Sequence, residues 1–342
     1  MIELQRRNIR YNFIFSGQHQ ATVKNIRDEF AVKDPDITLY HGKDITGILQ
    51  MFFWGVRILF FTLWNRRKVW QGDKNGIVLN HGDTFSTLLG SLLARVCGQR
   101  SAHVESGLRS FNLFHPFPEE VTRLLTFQLT NIYFAPGDWA LNNLRKYRGI
   151  KVDTLQNTLL DALRISESAV EIADVEIPGY PYAVVSLHRF ENIFSKEKLT
   201  EIVDLLLQVS KKTKLLFILH KPTEKKLEQH RLRAKLEACS NIEMRPRYSY
   251  FQFIKLIKNA SLVITDGGSN QEECFYLGKP CIIMRTTSER REGLGENAVI
   301  CNYQYAEIER VIDNLAKYKI VADQSTVSPT NIIIDELTRL DG

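Results

Sequence analysis

The stretch Ile77-Val78-Leu79-Asn80-His81-Gly82-Asp83-Thr84 decides the fold of this chain. An apolar run of strand type stops at a polar cluster, and open α/β sheets carry their chemistry just beyond the carboxyl ends of strands. The arrangement recurs twice within forty residues. A short strand-like segment through Ala102 leads into His103-Val104-Glu105-Ser106-Gly107-Leu108-Arg109, and Pro118-Glu119-Glu120 opens a helix. Two acidic strand-end clusters followed by an acidic pair at a helix start predict a site.

Outward from this block, short apolar strands alternate with helical stretches, the pattern of parallel sheets with crossover helices. Strands are expected at 11–16, 77–80, 102–105, 132–135 and 152–155, then at 182–187, 215–219, 242–245, 262–265, 281–284 and 298–300. Between the two sets lies an acidic, less regular stretch from Glu167 to Tyr182 with Pro178-Gly179-Tyr180-Pro181, the best linker. The fold class is therefore α/β, with two doubly wound Rossmann-like domains at 1–166 and 167–342 facing a cleft. A length of 342 residues suits two cores better than one.

Composition narrows the partners. The net charge of +6 is modest, and the basic residues sit singly or in short pairs such as Arg66-Arg67 and Lys211-Lys212. Without a basic stripe interleaved with aromatics, nucleic-acid binding is disfavoured, while a small anionic ligand such as a sugar nucleotide fits. Five cysteines, none in a CxxC pair, predict a reducing, cytoplasmic setting. The amino terminus lacks the apolar core of a signal peptide. No His/Cys spacing suits zinc, and Asp34-Pro35-Asp36 is a poor sugar-transferase metal motif, so no metal is expected. Residues 47–64 are strongly apolar but are interrupted by Gln50 and Arg57 and followed by Arg66-Arg67-Lys68. They read as a helix packed on a sheet, with contact to a membrane surface as the alternative and no integral span.

The second half adds a phosphate-binding pattern. His188-Arg189-Phe190-Glu191-Asn192 follows one strand and His220-Lys221-Pro222 the next, each histidine beside a cation. Asp266-Gly267-Gly268-Ser269 ends a third strand. Two glycines there permit close backbone approach, and the helix starting near Ser269 turns its free N–H groups toward a diphosphate. Glu273, one turn inside, is placed to hold ribose hydroxyls. The loop from Arg285 to Gly293 contacts substrate or is simply solvated.

Taken together, these residues resemble the non-hydrolysing UDP-N-acetylglucosamine 2-epimerases. Six elements match in order: His81–Thr84, His103–Arg109, Pro118–Arg123, Asn157–Leu163, His188–Asn192, and Gln271–Glu273 with Leu277-Gly278-Lys279-Pro280. The resemblance implies the two-domain GT-B architecture. It also implies loss of the sugar C2 proton with expulsion of UDP from C1, a 2-acetamidoglucal intermediate, and re-addition of UDP to give UDP-N-acetylmannosamine. No cofactor is needed, and a homodimer supplying surface-polysaccharide synthesis is expected. By the same match Asp83, Glu105 and Glu119 are the catalytic carboxylates and His188 assists diphosphate departure. His81, Arg109, Arg123, Arg189, Glu191, His220, Asp266, Gly267, Gly268, Ser269, Glu273 and Arg285 are the substrate-binding set. Which carboxylate takes the C2 proton stays open. Structural roles also stand beside these: Asp83 as a helix N-cap, Glu105 as a partner for Arg109, Glu119 as a first-turn acid.

The match has departures. The family's opening strand with its Gly-Thr-Arg-Pro-Glu loop and a following lysine has no counterpart, which leads us to expect a chain truncated upstream and an apolar slot where a central strand belongs. Asp266-Gly267-Gly268-Ser269 replaces Asp-Ser-Gly-Gly, and Gln156 stands where a glycine is usual; both suit a further modified acetamido sugar. A hydrolysing epimerase, a GT-B glycosyltransferase and a non-catalytic UDP-sugar binder are the competing readings. Gln18 and His19 are candidates for an activating second substrate site.

Overall fold

The computed structural model describes residues 1–18, 20–45, 47–113 and 118–341; His19 lies outside them. The chain divides into two compact units, residues 1–161 with 327–342 and residues 162–326. The helix Leu159–Ile172 runs across that division, so the stretch from Glu167 that was expected to be a linker begins as helix.

In the first unit β1 (Ile14–Phe15) pairs in parallel with β2 (Ile37–Thr38). A separate parallel sheet holds β3 (Ile77–His81), β4 (Arg100–Val104), β5 (Ile132–Ala135) and β6 (Ile150–Asp153) in that order. The sequence reading found all of these within two or three residues except β2, which at two residues has no periodicity to read. Among the described residues β3 pairs only with β4, and its Leu79 is 43% exposed.

The carboxyl-terminal helix Pro329–Asp341 was expected in the second domain and packs in the first unit. Its Ile333 joins Ala102, Val104, Ile132 and Phe134 in one apolar cluster, and Thr330 N–H donates to Asp161 Oδ2 at 2.7 Å. An amphipathic stripe states that a helix needs an apolar partner but not which of two sheets supplies it.

The second unit is one six-stranded parallel sheet ordered β12-β11-β10-β7-β8-β9, with β7 (Tyr182–Ser186), β8 (Lys214–Leu219), β9 (Ile242–Pro246), β10 (Leu262–Thr265), β11 (Cys281–Ile283) and β12 (Ala298–Ile300). Strand order reverses between β7 and β10, and such a switch point is where open α/β sheets bind ligands. Val185, Leu206, Phe217 and Ile264 lie at the centre of its core, each full burial of such a side chain contributing about 1.5–3 kcal/mol. The fold class expected from sequence is the fold observed: α/β with two Rossmann-like parallel sheets.

The apolar segment forms the helix Ile48–Trp64. One face, Trp54, Ile58 and Thr62, is buried, with Trp54 and Ile58 packed on Leu89 and Leu93 of the helix Phe85–Cys97. No helix of the described residues is long and apolar enough to cross a membrane.

Candidate active site

Asp83 and Glu105 follow adjacent strands, since His81 at the end of β3 is in register with Val104 at the end of β4. Gly82 takes φ +74°, a conformation open to glycine, and its N–H donates to Val104 O at 3.1 Å. Thr84 is the N-cap of the helix Phe85–Cys97, its Oγ1 accepting from Thr87 N–H. The capping role considered for Asp83 is thus filled by its neighbour.

Asp83 is fixed by the helix Glu119–Leu129. Thr122 Oγ1 donates to the Asp83 backbone carbonyl at 2.6 Å, and Arg123 Nη2 pairs with Asp83 Oδ2. Arg123, 3% exposed, also reaches Glu120 Oε2 at 3.3 Å. Glu120 is fully buried; it accepts from Arg109 Nε and, at 3.0 Å, from Ser110 N–H. Arg109, weighed above as a structural partner for Glu105, turns its Nε to Glu120. Glu119 is the first residue of the same helix, as its first-turn reading expected.

Glu105 adopts φ +65°. A non-glycine residue there costs about 1–3 kcal/mol, and such strain collects at functional positions. Its carboxylate lies 3.4 Å from His81 Nε2, and Thr158 Oγ1 meets the same nitrogen at 3.4 Å. His103 closes the turn from below, its Nε2 donating to Gly82 O at 2.7 Å. Burial pushes this imidazole down to about 4, so it stays neutral. Gln18, proposed for a second site, is buried; Ser86 Oγ donates to its Oε1 at 2.5 Å, binding it to the helix after β3.

In the second unit the switch point gathers the predicted phosphate residues. Asp266, directly after β10, is fully buried and accepts from His188 N–H (3.0 Å), Arg189 N–H (3.0 Å) and Asn192 Nδ2 (2.9 Å). Its carboxylate therefore holds the loop after β7 rather than facing outward for substrate. The His188 ring stacks on His220 at 4.4 Å, and His220 Nε2 meets Ser186 Oγ at 3.2 Å. Burial lowers His188 below the ordinary imidazole value and, with His188 and Arg247 nearby, brings His220 down to about 3.

Gly267 is the N-cap of the helix Gly268–Tyr276, one residue earlier than expected at Ser269. A Cβ on Gly267 would stand 3.2 Å from His188 Cε1, and one on Gly268 would stand 3.2 Å from Arg290 Nε and Glu289 Oε1. Small residues are needed at both positions to admit these neighbours. Arg189 and Arg285 both bond the buried Glu289, at 2.6 and 2.8 Å, and both lie 3.8 Å from Glu191. Sequence reading quoted Glu120 and Asn192 in its motifs and the loop that holds Glu289 and Arg290, but gave none of the four a role, because a buried side chain that orients another leaves no strand-end signature. The Glu-Glu pair at 119–120 was the one available hint.

Glu273 is 3% exposed, and burial raises its carboxyl to about 7 against the hydrogen bond from Asn270 Nδ2 at 2.8 Å. A folded-state value above the ordinary carboxylate range gives stability that is full below about 4.5 and lost as pH rises through about 7. Glu273→Gln, which cannot ionise, is expected to gain about 3 kcal/mol on wild type between roughly pH 4.5 and 8.5, read by urea unfolding at both pH values. Parallel pH profiles for the two proteins would contradict a buried, protonated Glu273.

Residues 2–330 match the family model described as UDP-N-acetylglucosamine 2-epimerase. The chain belongs to this family of epimerases. A UDP-N-acetylglucosamine 2-epimerase of Methanococcus maripaludis is 34% identical over 85% of this chain and 80% of its own. A UDP-2,3-diacetamido-2,3-dideoxy-D-glucuronate 2-epimerase of Pseudomonas aeruginosa is 34% identical over 64% of this chain and 60% of its own. The crystal structure of the Methanocaldococcus jannaschii UDP-GlcNAc 2-epimerase in complex with UDP-GlcNAc and UDP superposes with a TM-score of 0.82, covering 98% of this chain and 94% of that one at 27% identity. The family's GT-B type of fold is therefore also the fold of this chain.

Proposed function

We propose that this epimerase interconverts UDP-N-acetylglucosamine and UDP-N-acetylmannosamine without hydrolysis, feeding surface-polysaccharide synthesis. The observation that carries the reading is the set of carboxylates at one end of the four-stranded sheet. Asp83 follows β3, Glu105 follows β4, and Glu119 opens the helix whose Thr122 and Arg123 hold Asp83. The C2 proton has no adjacent carbonyl, so its removal needs a positioned carboxylate base and a stabilised leaving group. As that proton goes to a carboxylate, the C1–oxygen bond to UDP breaks and a C1–C2 double bond forms. A second carboxylic acid then returns a proton to the opposite face of C2, and UDP adds back at C1. No step transfers electrons to a cofactor.

In this reading UDP binds at the switch point of the second unit. The start of the helix at Gly268 and Ser269 meets phosphate through backbone N–H groups, and His188, held by its own N–H on Asp266, stands beside it. A diphosphate brought against His188 raises its proton affinity, so the imidazole gains a proton as negative charge grows on the departing UDP. Arg123 is reassigned from binding substrate to aiming Asp83, because its guanidinium is buried between Asp83 and Glu120.

The test is incubation with UDP-N-acetylglucosamine in heavy water, followed by NMR at C2. Deuterium at C2 in a UDP-linked manno product is the expected result; free sugar would indicate hydrolysis, and intact unexchanged substrate a transferase or binder. The Pseudomonas relative and the displaced hydroxyl at Ser269 favour one second reading, a diacetamido sugar nucleotide as substrate. A larger kcat/KM for that compound would establish it.

A further inference from the structure

Beyond β12 the chain turns through two consecutive residues in the left-handed region, Asn302 at φ +49° and Tyr303 at φ +59°. Asparagine tolerates that conformation, but a bulky aromatic residue is an outlier there and persists only where its surroundings over-determine it. Here the surroundings do. Asn302 N–H donates to Arg285 O at 3.2 Å, Gln304 N–H to Cys301 O at 2.8 Å, and the Lys198 ammonium lies over the Tyr303 ring. The turn delivers a phenol hydroxyl to the loop after β7, where it donates to Asn192 Oδ1 at 2.8 Å. Burial, with the Glu191 and Asp266 carboxylates nearby, pushes this hydroxyl above the ordinary phenol value, so it keeps its proton.

Asn192 is fully buried, and its amide has one arrangement that uses every group. Its two N–H groups go to Asp266 Oδ2 at 2.9 Å and Met284 O at 3.1 Å, which leaves Oδ1 to accept from Tyr303. Asp266 takes Asn192 together with the His188 and Arg189 N–H groups. The His188 ring is close enough to compete, with Nδ1 3.5 Å from Asp266 Oδ1. A carboxylate at that distance with its lone pairs unfilled would favour a protonated imidazole. Donors placed on it draw its charge onto the loop backbone, and burial then keeps the ring below its ordinary value. The other titratable or charged groups around the ring are His220, Arg189, Arg247 and Glu191, and among the described residues none of them hydrogen-bonds Tyr303. We propose that Tyr303 is a positioning residue for the epimerase reaction, holding Asn192 so that Asp266 stays on the loop backbone and off the His188 ring. This role rests on the assignment of His188 to the departing diphosphate.

The test is an NMR titration of the His188 Cε1–H resonance in the free protein, assigned by its loss in His188→Gln. Tyr303→Phe removes the hydroxyl and keeps the ring under Lys198. Its His188 midpoint is expected to rise by on the order of one pH unit as Asp266 turns to Nδ1. The limb of the kcat/KM profile that His188 sets in the free enzyme is expected to move up with it. Asn192→Ala removes the same donor from Asp266 and is expected to give a similar shift, to which Tyr303→Phe adds nothing in the double variant. Tyr305→Phe, which loses a hydroxyl bonded to Glu309, is expected to leave both readouts unchanged. A wild-type midpoint in either single variant, or a double variant that shifts by the sum of the two, overturns the proposal. A shifted midpoint in Tyr303→Phe, with UDP-N-acetylglucosamine left unchanged by the wild-type protein, keeps the positioning of His188 and removes the reaction proposed above.

Discussion

Asp83→Asn and Glu119→Gln are each expected to lower C2 proton exchange by about three orders of magnitude, the middle of the range for a lost acid–base group. UDP affinity is expected to stay within about twofold, because the phosphate-facing residues of the second unit are untouched. The split between exchange and affinity separates a chemical role from a structural one. Asn at 83 can still accept from Arg123, and Thr122 still bonds the backbone carbonyl, so melting temperature is expected to change little. Isotope exchange by NMR and UDP titration by calorimetry read both sides. Exchange near the wild-type rate in either variant would remove that residue from the chemistry.

Glu120→Ala is expected to give the largest loss of stability. Its carboxylate is fully buried between Arg109 and Arg123 and takes the Ser110 N–H. Removing it takes the counter-charge from Arg109 and leaves the buried Arg123 to Asp83, at a cost of about 3–5 kcal/mol. For a unit of this size that is a fall of about 10–15 °C in melting temperature. Glu120→Gln keeps the shape and part of the hydrogen bonding, so it tests position. Freed from Glu120, Arg123 no longer aims Asp83, and kcat is expected to fall with KM nearly unchanged. The double variant Glu120→Ala/Arg109→Met should melt above Glu120→Ala, because it removes the charge that, among the described residues, Glu120 alone neutralised. A double variant no more stable than the single one would show that Arg109 does not depend on Glu120.

Much of the fold was legible because parallel strands buried on both faces read as continuous apolar runs. Leu262–Thr265 and Ala298–Ile300 were placed to the residue. Much of the candidate site was legible for a related reason. A carboxylate or histidine directly after such a run, as at Asp83, Glu105 and His188, lies at a strand's carboxyl end whatever surrounds it. Roles decided by partners at long separation were not legible. Asp266 looked like a ligand for substrate, yet it spends its oxygens on backbone N–H groups 77 and 78 residues away. Arg123 looked like a substrate cation, yet Asp83, forty residues earlier, takes it.

The sequence by itself determined the α/β class, the order of the strands and the residue types at their ends, all properties written in local periodicity. Only the tertiary structure decided that the last helix belongs to the first unit, that Glu120 neutralises two arginines, and that the face of Leu49, Phe53 and Trp64 stays uncovered. Those outcomes depend on which distant surfaces meet, and an apolar or charged side chain states only that it needs a partner.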